Sequence, residues 1–232
     1  MVTRSYIDSM GQNRSVESLR AFLGAFRPER YTVTRSLALY AAAIALADVE
    51  TLATTQQVCQ DYRATDRQMY EVMLQSYLFL GFPRMLIAAE QLTKAGVTPD
   101  RETEDYRVSD SDVREWMERG ARLCRRVYDG NYGALRNRVE AMAPEIFLWM
   151  ELEGYGKVLS RPGLDIVDRE LAIVACLMVE DRPIQLHSHV RGAINVGTPP
   201  EMLRDVVSDL GSIAPEGFRS VCEIMQKLGL RG

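Results

Sequence analysis

Two apolar runs, Leu37–Ala47 and Leu171–Val179, constrain this chain more than any other feature. Each is apolar all round rather than along one stripe, which marks a helix enclosed on every side. Each is also shorter than the about 20 residues that cross a bilayer. Helices of this kind need a shell, and the remaining sequence offers one. Apolar periodicity near 3.6 recurs throughout, no alternating strand pattern interrupts it, and prolines and glycines fall between helix-length segments. The expected fold class is therefore all-α.

Residues 1–34 are polar and read as an N-terminal arm with one short helix around Val16–Phe26. Residues 35–96 form a first unit: the apolar helix, then helices over Thr54–Tyr62 and Asp66–Leu80, then Gly81-Phe82-Pro83 and a last helix to about Lys94. The charged stretch 97–111, VTPDRETEDYRVSDS, reads as a linker. Residues 112–232 form a second unit with its own leading helices. One of these starts at Asp112, with Glu115 completing a cap, and runs to Tyr128; another spans Ala134–Glu153. A shift of 134 residues lays the first unit on the second: Arg35, Leu37, Ala38 and Ala41 fall on Arg169, Leu171, Ala172 and Ala175. It also puts Glu71 on Asp205 and Val72 on Val206. Agreement of apolar phase over about 60 residues points to an internal duplication.

The chemistry concentrates in the second unit. Both histidines of the chain, His187 and His189, follow Glu170 there, whereas the first unit has Ser36 and Thr55 where Glu170 and His189 stand. Asp165 is placed to cap the helix that carries Glu170, and Glu170 shares a face with Ile166, Val174 and Leu177. A carboxylate in an apolar stripe needs a hydrogen-bonding partner, and burial tunes it for acid–base work. The next helix runs from Pro183 to Val196 and stops at Gly197. Its two histidines are two residues apart and so point in nearly opposite directions. Thr198-Pro199-Pro200-Glu201 has the form of a capping box for the helix that follows. Three readings stay open for Glu170: a structural hydrogen bond to His189 or Arg182, a proton relay with His189, or a metal site through His187 and His189. Arg182 and Arg191 could each clamp a substrate carboxylate. The aromatics Phe147, Trp149, Tyr155 and Phe218 read as core.

Composition excludes several classes. A net charge of −4 gives no footprint for nucleic acid or anionic lipid. The four cysteines, Cys59, Cys124, Cys176 and Cys222, have neither CxxC nor zinc spacing and read as reduced structural thiols. The N-terminus lacks the apolar core of a signal peptide. The expectation is a soluble cytoplasmic protein with no nucleic-acid or membrane partner, no metal and no cofactor.

The segment Tyr155–Asp165, followed by Arg169-Glu170-Leu171, resembles the carboxymuconolactone decarboxylase family, as does Gln185–Gly197. Tyr77–Arg84 is similar to the end of that domain in the first unit. The resemblance implies tandem helical repeats of the alkylhydroperoxidase D-like type and assembly as a homo-oligomer, a trimer being favoured for two-repeat chains. It implies Glu170 and His189 as catalytic residues, with Arg182, Gln185 and His187 contacting a small-molecule substrate. The redox members of this superfamily place a CxxC pair where this chain has Arg182 and Gln185. A dithiol cycle needs both thiols, so the expectation is a cofactor-free decarboxylase or lyase acting on a small lactone or cyclic carboxylic acid. The alternatives are a peroxidase-type protein that has lost its CxxC, and a non-catalytic small-molecule binder or scaffold.

Overall fold

A computed structural model describes residues 3–25, 31–97 and 107–230, and the side chains from Asn13 onward within them. Every regular element among the described residues is a helix. They run α1 (Thr3–Gly24), α2 (Val33–Leu46), α3 (Val49–Asp61), α4 (Asp66–Lys94), α5 (Asp110–Tyr128), α6 (Tyr132–Met142), α7 (Pro144–Trp149), a π-helical segment (Met150–Leu159), α8 (Ile166–Val179), α9 (Pro183–Val196), α10 (Pro200–Asp209) and α11 (Pro215–Lys227). The all-α expectation holds.

The two all-round apolar runs become α2 and α8, packed against each other at the centre. Both are buried along almost their whole length. The Cys176 thiol of α8 even reaches the Ala41 carbonyl of α2, at 3.4 Å. Around this pair several helix boundaries recur at the 134-residue offset read from the sequence. α3 and α9 begin 134 residues apart, as do α4 and α10. Ala47 and Asp181, which end α2 and α8, both take a left-handed backbone, and so do Arg63 and Gly197, which end α3 and α9. Where the second half breaks between α10 and α11, α4 instead kinks at Gly81 (φ 76°, ψ 167°), two residues before Pro83. Glycine takes that φ without the Cβ clash other residues meet.

Ion pairs tie the halves together in a reciprocal way. Arg35 at the start of α2 reaches across to α10, holding Asp209 with two hydrogen bonds of 2.8 and 2.6 Å. Arg169 at the start of α8 reaches across to α4, bonding Glu71 at 2.9 Å and Gln75 at 3.2 Å. Adding the same 134 residues turns Glu71 and Gln75 into Asp205 and Asp209. Glu71 is fully buried and also meets Arg67 and Arg161. Three guanidinium groups on one carboxylate satisfy a charge that would otherwise be costly to bury.

Several boundaries differ from the sequence reading. The arm is mostly α1, which begins at Thr3 rather than near Val16. Its polar first turns carry no apolar stripe to reveal it, and Phe26 lies outside the described residues. α3 starts at Val49 rather than Thr54 because the Asp48 carboxylate caps it, accepting from the Thr51 amide. The expected linker 97–111 is shorter than it reads: Val97 is buried, α5 already begins at Asp110, and positions 98–106 lie outside the described residues. Asp112 is not the cap of α5; it is the third helical residue, exchanging hydrogen bonds with the capping Ser109. The single helix over Ala134–Glu153 is in fact α6, α7 and part of the π-helical segment. Pro144 breaks it, since its ring forces Ala143 into an extended conformation (φ −163°, ψ 106°). The capping box at Thr198 does not form: Pro199 is the N-cap of α10, and the buried Thr198 hydroxyl has no hydrogen-bond partner.

One described helix, α4, has the length and apolar character of a membrane span, which the charged positions along it hid from a search for unbroken runs. In this fold its buried face packs against α2, α3 and α8.

Candidate active site

Glu170 sits in the first full turns of α8 and His189 in the second turn of α9, and the antiparallel packing of the two helices brings them together. The Asp165 carboxylate caps α8, accepting from the Val167 amide at 2.8 Å. Two signals pin α9: Pro183 at its first position and Gly197 beyond its end, at φ 105°. His189 Nδ1 lies 2.9 Å from Glu170 Oε2. Glu170 is fully buried and His189 nearly so. With the carboxylate ionised, Nδ1 donates and Nε2 is the ring nitrogen left to exchange a proton. The second carboxylate oxygen, Oε1, is buried and has no hydrogen-bond partner among the described residues. Phe79 meets the imidazole edge-on at 5.3 Å and holds its plane.

His189 opens onto a cavity of ≈ 260 Å³. Leu78 and Phe79 of α4 form one wall, and Tyr128, Tyr155 and Leu159 another; the more exposed Ile146 and Trp149 stand at its rim. Among the residues lining it there is no lysine or arginine, and the one carboxylate besides the buried site is Glu153. Tyr77 donates to Glu153 at 2.9 Å and stacks on Phe82, which orders the rim from the α4 side. Tyr128 and Tyr155 meet edge to face in this wall, their ring centroids 6.1 Å apart. Burial pushes Tyr128 up to about 12 and Tyr155 well above its ordinary value, with Glu170 adding to both, so each stays a neutral phenol.

The π-helical segment places Tyr155 in this wall. It packs against α5 at two glycines, where a Cβ at Gly120 would come within 1.8 Å of the Glu151 carbonyl oxygen and one at Gly156 within 2.0 Å of that of Trp116. Only a backbone without side chains at both positions permits so close an approach.

Of the residues expected at the site, the structure brings Glu170 and His189 together. Arg182 and Gln185 lie outside the cavity: both are exposed on the outer face of α9's first turn, and Arg182 pairs loosely with Glu180 at 3.7 Å. The buried face of α9 runs through Leu186, His189, Val190 and Ala193, so positions 182 and 185 fall on its solvent side. His187 faces a different cavity, together with Arg191. Sequence reasoning took Trp149 and Tyr155 for core; Trp149 is a rim residue and Tyr155 a wall. Phe79, Tyr128 and Glu153 were missed, and no spacing signal links them, since they come from three separate elements. Cys59, Cys124 and Cys176 are buried free thiols pushed up to about 12 chiefly by burial, which keeps them protonated.

In the first half the equivalent positions are closed. Ser36 and Thr55 are fully buried and turn back on their own helices, Ser36 to the Val33 carbonyl and Thr55 to those of Thr51 and Leu52.

No family model matches the chain. It is 26% identical over 141 residues to Peroxisomal protein 2 of Schizosaccharomyces pombe, a stretch covering 59% of this chain. The match spans 63% of that protein's length. So distant a likeness leaves the chemistry of the site to be argued from its geometry.

Proposed function

We propose that this chain is a cofactor-free acid–base enzyme built on tandem repeats of the carboxymuconolactone decarboxylase type. It acts on a small lactone or cyclic carboxylic acid in the cavity beside His189. The observation that carries this reading is the buried Glu170–His189 pair, at 2.9 Å, opening on an apolar cavity of ≈ 260 Å³.

Glu170 fixes the imidazole through Nδ1, and Nε2 delivers or removes the proton. For a decarboxylation, the bond from ring carbon to carboxylate breaks and CO2 leaves. Its electron pair passes into the ring carbon, conjugated with the lactone carbonyl, and the Nε2 proton of imidazolium His189 then quenches that carbon. An apolar cavity without a guanidinium suits this step: a carboxylate there is poorly solvated, and losing CO2 disperses its charge. The tyrosine pair offers a neutral donor for the enolate-like oxygen. This scheme gives Arg182 and Gln185 no part in binding. The same reading carries a cytoplasmic homo-oligomer, a trimer favoured, in which a neighbouring chain covers the apolar rim at Ile146 and Trp149.

The test is CO2 release from a panel of small cyclic and lactone carboxylic acids, in D2O to report deuterium at the quenched carbon. His189→Ala and Glu170→Gln should each slow the substrate that turns over by about 10²–10⁴-fold. Unchanged turnover in both variants would remove the relay.

A peroxidase-type reading has less support, because the positions of its thiol pair hold Arg182 and Gln185.

A further inference from the structure

A second cavity, also ≈ 260 Å³, lies between α5–α6 and the opposite face of α9. Its wall carries Arg138 from α6 and His187 and Arg191 from α9, with Asn131 and Ser188 beside them and Tyr128 at its back. No aspartate or glutamate lines it. Its arginines also differ from others nearby. In the adjacent groove Arg119 pairs with Glu115, Arg161 with Glu71, and Arg126 donates to the Val196 carbonyl. Arg138 and Arg191 make no ion pair or hydrogen bond among the described residues. Two guanidinium groups without a carboxylate partner line one concavity, and their positive charges together attract an anion placed between them. The positive field is felt at His187, whose pKa is lowered by burial, then by Arg191 and Lys227.

We propose that this cavity is a binding site for a small oxyanion-bearing molecule, its phosphate or carboxylate group held by Arg138 and Arg191, with His187 and Asn131 as further polar contacts. Guanidinium groups fit both oxyanions through paired N–H donors, which a lone ammonium cannot match. The cavity exceeds a single phosphate in size, so the ligand has a body as well as a charged group. Tyr128 forms the partition between this cavity and the one beside His189. The site stands independently of the proposed catalytic reading.

The chain has only two histidines, so its imidazole NMR signals give a direct readout. They are assigned with His187→Gln. The protein is titrated at constant ionic strength with inorganic phosphate and, separately, with succinate, against chloride. The expected result is a saturable shift of the His187 signal with one or both oxyanions and none with chloride; the one that binds tighter names the group. Arg138→Gln and Arg191→Gln should each weaken binding about fivefold or more, and the double variant should abolish saturation, with helical circular dichroism unchanged. Should Arg191→Gln alter folding, the exposed Arg138→Gln carries the test alone. A His187 signal that neither oxyanion saturates overturns the proposal, as does one that saturates equally well without the arginines.

Discussion

At position 192 helix α9 carries a glycine, and a Cβ built there would lie 2.7 Å from Val127 Cγ1 and 3.0 Å from Glu170 Oε2. The oxygen it would strike is the one that meets His189 Nδ1. The missing side chain therefore lets the Glu170 carboxylate lie along α9 and lets α9 approach α5. Gly192→Ala is expected to cost about 1–3 kcal/mol through overpacking, read from denaturant unfolding. It should also lower turnover of any confirmed substrate more than it lowers stability at assay temperature. A variant as stable and as active as the parent would show that the site tolerates the displacement. The sequence marked Glu170 by an elementary signal, a charge in an apolar stripe. It marked Gly192 by nothing, because a mid-helix glycine shows its purpose only when the neighbouring helix is in place.

Among the elements, α3 and α9 end in the same left-handed turn, but α9 uses Gly197 and α3 uses Arg63, at φ 64°. A side chain in that region meets the following carbonyl, at roughly 1–2 kcal/mol. Arg63 is exposed and its amide closes the turn on the Gln60 carbonyl at 2.9 Å, which glycine would keep. Arg63→Gly should therefore stabilise the protein by about 1 kcal/mol, visible as a higher Tm; a lower Tm would mean the Arg63 side chain is engaged elsewhere. Elements with plain start and stop signals, α8 and α9, were legible from sequence almost to the residue, whereas α2 begins at Val33, ahead of the apolar run read from Leu37 and inside the expected arm. The stretch after Ala134 was not legible. Its apolar phase runs on through Pro144, and the wider π-helical winding of Met150–Leu159 has no signature in a 3.6-residue pattern. That winding builds the cavity wall, so the Glu170–His189 pair could be read in advance and its container could not.

At the scale of the whole molecule, the buried cluster on Glu71 carries the join between halves. Glu71→Ala leaves Arg169 buried without its main partner, and the expected loss is about 3–5 kcal/mol, measured by chemical unfolding. A loss under 1 kcal/mol would mean that Gln75 and the Arg161 carbonyl, at 2.9 Å from Arg169, suffice. The offset of 134 residues was readable from a handful of identities, yet what it meant was not: Arg35 and Arg169 align in sequence, but each reaches into the half it does not belong to. The bonds between Arg35 and Asp209 and between Arg169 and Glu71 thus form a mutual exchange, in which each half supplies a guanidinium to a carboxylate of the other. Cleaving the backbone somewhere between Val97 and Arg107 would accordingly leave two fragments with matched, unsatisfied edges, suited to finding each other again in solution and restoring the whole without a peptide link.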